Sequence, residues 1–154
     1  MKLIILERDG VIDAGADAND WQPLPGSLDA IARLNRAGYR VVVISPPQAA
    51  DRPDPADLYR LHQRMASAIA EAGGVLDGLY FCPHAADSGC GCRLPAPGLF
   101  EEIARRHRIE LRGILAVGTS TAFLRAAGAA GADPVLVRSA QGRKAISELG
   151  PAAP

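Results

Sequence analysis

Short apolar runs alternate with helix-period segments along this chain, and that alternation restricts the fold more than any other feature. Leu3–Leu6, Val41–Ile44, Val75–Phe81, Ile114–Val117 and Val135–Val137 are apolar stretches of strand length. Between them, Ser27–Ala37, Pro55–Ala72, Pro97–His107 and Ser120–Ala130 read as helices. In the first helix, Leu28, Ile31, Ala32 and Leu34 fall on one face, and Gly38 stops it. Asp54 can cap the second, with Pro55 as its first residue. Pro46, Pro47 and Pro53 mark the loop before it. Apolar strands alternating with helices imply an α/β fold, a central parallel sheet covered on both faces. Ligands on such sheets bind at the carboxyl ends of strands. The segments to read for chemistry are therefore Glu7–Gly10, Ser45–Gln48 and Gly118–Thr121.

With 154 residues the chain suits one domain, expected over 1–141, with a weakly structured tail over 142–154. Hydrophobic residues make up 48% but aromatics only 5%, so Ala, Leu, Ile and Val must build the core. Seventeen basic and seventeen acidic side chains cancel, which argues against a nucleic-acid partner. No apolar run is long enough to span a membrane. The opening run breaks at Glu7-Arg8-Asp9, too early for a signal peptide, so a cytoplasmic domain is expected.

All three cysteines lie on one loop, as Cys82-Pro83-His84 and then Cys90-Gly91-Cys92. An odd count argues against a closed disulfide framework. Three thiolates and an imidazole match tetrahedral Zn²⁺ with no open position, the pattern of a structural site. The alternative is a solvent loop with free thiols. His62 and His107 fall on helical patterns and read as surface or half-buried helix residues.

Glu7-Arg8-Asp9-Gly10-Val11-Ile12 after a buried strand, together with the cysteine loop, resembles the haloacid dehalogenase superfamily. Within it the chain is similar to the heptose-bisphosphate and histidinol-phosphate phosphatase branch. The likeness extends from Met1 to about Lys144. It takes in Trp21-Gln22-Pro23-Leu24-Pro25-Gly26, Cys90-Gly91-Cys92-Arg93, Pro95-Ala96-Pro97-Gly98 and Gly142-Arg143-Lys144. The resemblance implies a three-layer α/β/α Rossmann-like fold and Mg²⁺-dependent phosphoryl transfer. It places the nucleophile at position 7, the acid/base at Asp9 and a phosphate-binding hydroxyl at Ser45. Arg8 and Arg93 are the expected substrate contacts. The metal is expected on the first acid, a backbone carbonyl and an acid after the fourth strand.

The chain departs from that pattern where the chemistry is concentrated. Glu7 stands for the nucleophilic aspartate, one methylene longer and so about 1.5 Å out of place. A shift of about 1 Å can cost on the order of 10²-fold in rate. Pro46 and Pro47 replace polar residues, Leu94 replaces a lysine, Thr119 the metal-binding aspartate and Phe123 a second acid. The chain is also expected to stop before the family's last strand and helix. Asp13, Asp17 and Asp20 are expected to solvate a loop. These changes imply a catalytically inactive or severely impaired homologue with a structural zinc and a weakened Mg²⁺ site, binding a phosphorylated sugar or a protein partner. The alternatives are an active small-metabolite phosphatase working through Glu7 and Asp9, and a zinc-stabilised interaction subunit.

Overall fold

The computed structural model describes residues 2–14, 20–45, 55–84 and 88–137. Five strands and four helices alternate: β1 (Lys2–Glu7), α1 (Ser27–Arg36), β2 (Tyr39–Ile44), α2 (Pro55–Glu71), β3 (Gly78–Tyr80), α3 (Gly98–His107), β4 (Leu115–Gly118), α4 (Thr121–Ala129) and β5 (Asp133–Leu136). All strand pairs are parallel, in the order β3-β2-β1-β4-β5.

Two apolar layers follow from the pleat, which sends alternate side chains to opposite faces. Ile4, Leu6, Val41 and Val43 pack with Ile31 and Leu34 of α1 and Met65 and Ile69 of α2. Leu3, Ile5, Val42 and Ile44 pack with Phe100 and Ile103 of α3 and Phe123 and Ala126 of α4. The strand sequence runs outward from β1 in both directions, so a crevice opens where β1 meets β4. That switch point is where α/β sheets bind ligands.

Two strands differ from expectation. β3 is shorter than Val75–Phe81, because side chains capture the backbone around its start. Asn35 Oδ1 accepts from the Val75 N–H at 2.8 Å, and Asp77 Oδ2 accepts from the Val41 N–H at 3.0 Å. Val75 is left 62% exposed. β5 begins earlier than Val135 and includes Pro134, which an edge strand tolerates because one side needs no donor. The expectations for Pro46, Pro47, Pro53 and Asp54, and for a weakly structured or shortened C-terminus, fall outside the described residues.

Candidate active site and metal cluster

Register brings the expected positions together. Glu7 pairs with Ile44 and Leu6 with Val117, so Glu7, Ser45 and Thr119 share one end of the sheet. Arg8 follows β1, and its chain turns at once, with the Ile12 and Asp13 N–H groups donating to the Arg8 carbonyl. The turn and the end of β2 aim three acceptors at one guanidinium. Arg8 Nε donates to Ser45 Oγ at 2.9 Å and Nη1 to Asp13 Oδ2 at 2.7 Å, while Nη2 lies 2.7 Å from Asp9 Oδ1. Arg8 and Ser45 are both buried. The structure thus directs Arg8 at protein groups, whereas the sequence places it against substrate.

Asp13 corrects an expectation. It is fully buried, not a loop-solvating group, and its Oδ2 also accepts from Trp21 Nε1 at 2.5 Å. A buried carboxylate needs such partners, because an unpaired one would be costly. Asp20 is exposed, and Asp17 lies outside the described residues.

Glu7 is buried at 2% exposure and turns toward α4. Its Oε1 accepts from the Thr119 N–H at 2.8 Å and the Ser120 N–H at 3.1 Å. Its Oε2 accepts from Ser120 Oγ at 2.6 Å. Ser120 is also the N-cap of α4, accepting from the Phe123 N–H at 3.2 Å. Thr119 Oγ1 stands 3.1 Å from the Asp9 carbonyl oxygen and 3.4 Å from Glu7 Oε1. Its single proton favours the nearer acceptor. Leu94 and Phe123 belong to the apolar cluster beneath, at 9% and 0% exposure.

Asp9 keeps a partly exposed side chain. Burial raises its carboxyl pKa, Arg8 opposes the rise, and the Asp13 and Glu7 charges add to it. Arg93 has a buried Nη1 without a hydrogen-bond partner, a free cationic donor. Sequence reasoning missed His62, which is buried with an unpartnered Nε2. The signal was present: Leu58, Leu61, His62, Met65 and Ile69 form the buried stripe of α2.

The ligand atoms of Cys82, His84, Cys90 and Cys92 all lie within 4.8 Å of one another. Cys82 Sγ is 3.0 Å from Cys92 Sγ and 3.4 Å from Cys90 Sγ; His84 Nδ1 is 3.2 Å from Cys92 Sγ. Zn–S bonds of about 2.3 Å would set tetrahedral sulfur pairs about 3.8 Å apart, so the cluster is close to that size. A hydrogen bond from Ser88 draws the Cys90 thiol down to about 6, whereas burial and the adjoining sulfurs push Cys92 up to about 12. Crowded sulfurs resist joint ionisation, which a cation relieves. Gly98 anchors this loop to α3: its N–H donates to the Gly91 carbonyl at 2.9 Å, and a Cβ there would lie 2.3 Å from that oxygen.

A parallel sheet with this strand order, and an Asp-Gly turn after β1 at its switch point, are what the resemblance to the haloacid dehalogenase class leads one to expect. No family model matches the chain. It is 45% identical over 157 residues to D-glycero-β-D-manno-heptose-1,7-bisphosphate 7-phosphatase of Bordetella bronchiseptica, covering 97% of this chain and 88% of that one. It is 42% identical to the protein of the same name from Pseudomonas putida, covering 96% and 89%. The crystal structure of the Bordetella bronchiseptica D,D-heptose 1,7-bisphosphate phosphatase, complexed with magnesium and phosphate, superposes with a TM-score of 0.85 at 44% identity, over 96% of this chain and 87% of that one. The Burkholderia thailandensis counterpart gives 0.71 at 37% identity, over 96% and 85%. The chain belongs to the heptose-1,7-bisphosphate 7-phosphatase family. No described helix is long and apolar enough to cross a membrane.

The residues present do not fit Mg²⁺. Mg²⁺ takes oxygen lone pairs in near-octahedral array. Here Glu7 and the Asp9 carbonyl face N–H and O–H donors, and position 119 carries no charge.

Proposed function

We propose that this chain keeps the family scaffold while phosphoryl transfer at its strand ends is lost or severely reduced. What remains is a domain that binds a small phosphorylated sugar, with Arg93 as its cationic contact. One observation carries this reading. Leu94 and Phe123, where the family pattern calls for a lysine and an acid, are packed into the apolar core. Phosphoryl transfer depends on positioned cations, and removing one charge-stabilising donor costs on the order of 10²–10³ in rate. No observation favours a protein partner.

The relatives favour a second reading, an active phosphatase with an altered site. Proteins 38–45% identical carry the name of that activity, and Asp9 is retained with its carboxyl pKa raised by burial. In this reading Glu7 is the nucleophile or a metal ligand.

Phosphate release from heptose 1,7-bisphosphate with Mg²⁺, measured beside the Bordetella bronchiseptica enzyme, separates the two. The first reading expects turnover lower by at least about 10⁴-fold, combining a misplaced nucleophile with a missing cation. Turnover within tenfold would establish the second. The cysteine cluster supports a structural zinc, because four closed ligands leave no position for substrate. Such thiols suit the reducing cytoplasm.

A further inference from the structure

Glu7 is held by three short hydrogen bonds at the head of α4. Two backbone N–H groups and the Ser120 hydroxyl converge on its carboxylate at 2.6–3.1 Å. The head of a helix carries partial positive charge and free N–H groups, so it is a natural seat for an anion. In this chain the anion is the end of β1 itself. We propose that Glu7 is an internal anionic strut, tying β1 to α4 across the place where the family pattern puts a divalent cation, and closing that place to Mg²⁺.

Three features argue for a built contact. The side-chain length is matched: an aspartate, shorter by about 1.5 Å, would stretch every one of these bonds beyond hydrogen-bonding range. The neighbouring backbone makes room, since a Cβ on Gly118 would lie 2.8 Å from Glu7 Oε1 and 2.3 Å from Phe123 Cδ1. Phe123 then closes the far side, its ring centroid 5.2 Å from that of Phe100. The groups a cation would use are all turned to other work. Glu7 accepts from α4, the Asp9 carbonyl accepts from Thr119 Oγ1, and Thr119 offers no carboxylate. Admitting Mg²⁺, an ion that sheds water reluctantly, would require breaking these bonds together.

The inference rests on the reading of an impaired centre, and its test can fail separately. The full chain with its zinc retained is melted in chelator-free buffer, with and without millimolar Mg²⁺, as wild type, Glu7→Ala, Glu7→Gln and Glu7→Asp. The strut expects a wild-type Tm unmoved by Mg²⁺. It expects Glu7→Ala and Glu7→Asp to melt on the order of 10 °C lower, because buried donors are left unsatisfied. Sodium formate should raise the Tm of Glu7→Ala more than sodium chloride of equal ionic strength, as a free carboxylate refills the vacated seat. If Glu7→Ala does not fold, the isosteric Glu7→Gln carries the test with a drop of a few degrees. A saturable rise of wild-type Tm with Mg²⁺ that Glu7→Gln abolishes would overturn the strut, whatever the turnover. So would variants that melt with the wild type, or formate acting no better than chloride. Phosphate release by a wild type whose Tm ignores Mg²⁺ would instead overturn only the impaired reading.

Discussion

Acidification from about pH 7 to about pH 5 should expose the cost of burying His62. Its imidazole is 8% exposed on α2, its centroid 5.2 Å from that of Phe81, and Nε2 has no partner. Loss of water, and secondarily the Arg8 charge, bring its pKa from 6.5 down to about 4. A histidine with a lowered folded pKa is protonated first in the unfolded chain. Its full contribution is therefore present above about pH 6.5, and stability falls as pH drops toward 4. Proton linkage between those two values gives a loss of about 1.8 kcal/mol over this interval, which residual solvent contact reduces to about 1–2 kcal/mol. The Tm should fall by roughly 3–7 °C from this source. Urea unfolding followed by far-UV circular dichroism at both pH values, for wild type and His62→Leu, isolates the term. Titration of the metal cluster and of Asp9 acts on both proteins and cancels in the difference. The leucine variant should also gain about 1 kcal/mol at pH 7, because a buried unpaired nitrogen disappears. Equal pH slopes for the two proteins, or an NMR midpoint for His62 near 6.5, would refute the reasoning.

Three further outcomes follow from the described contacts. Removing metal with a chelator should lower Tm markedly, and metal analysis of the untreated protein should find about one zinc per chain. Asp13→Ala should cost about 3–5 kcal/mol in denaturant unfolding, because it removes a buried partner from Arg8 and from the Trp21 indole. Gly98→Ala should weaken zinc retention in a competition assay with a chromophoric chelator. Its Cβ meets the backbone of Gly91 and Cys92, which cannot yield without moving the metal loop.

The centre of the sheet was legible because β1, β2 and β4 are largely buried and their apolar runs are nearly unbroken. β3 was less so: the run from Val75 to Phe81 looks uniform, and side chains of Asn35 and Asp77 decide where pairing begins. The Cys/His cluster was legible because its four side chains are local in sequence. Asp13 was not, since an acid in a polar loop looks solvated until Arg8 and Trp21 close on it. The substitution at Glu7 was plain, but its destination was hidden. The donors that receive it lie 112 and 113 residues away, and no local period connects them.

Trp21 is the chain's single tryptophan, 3% exposed, and its indole shares a carboxylate oxygen with Arg8. Arg8 in turn reaches Ser45 at the end of β2 and Asp9 at the crevice. The molecule therefore carries an optical gauge of its own cleft. A solute that drew Arg8 or Asp13 out of place would alter the field at one chromophore, so a shift in its emission on titration is the expected sign of occupancy.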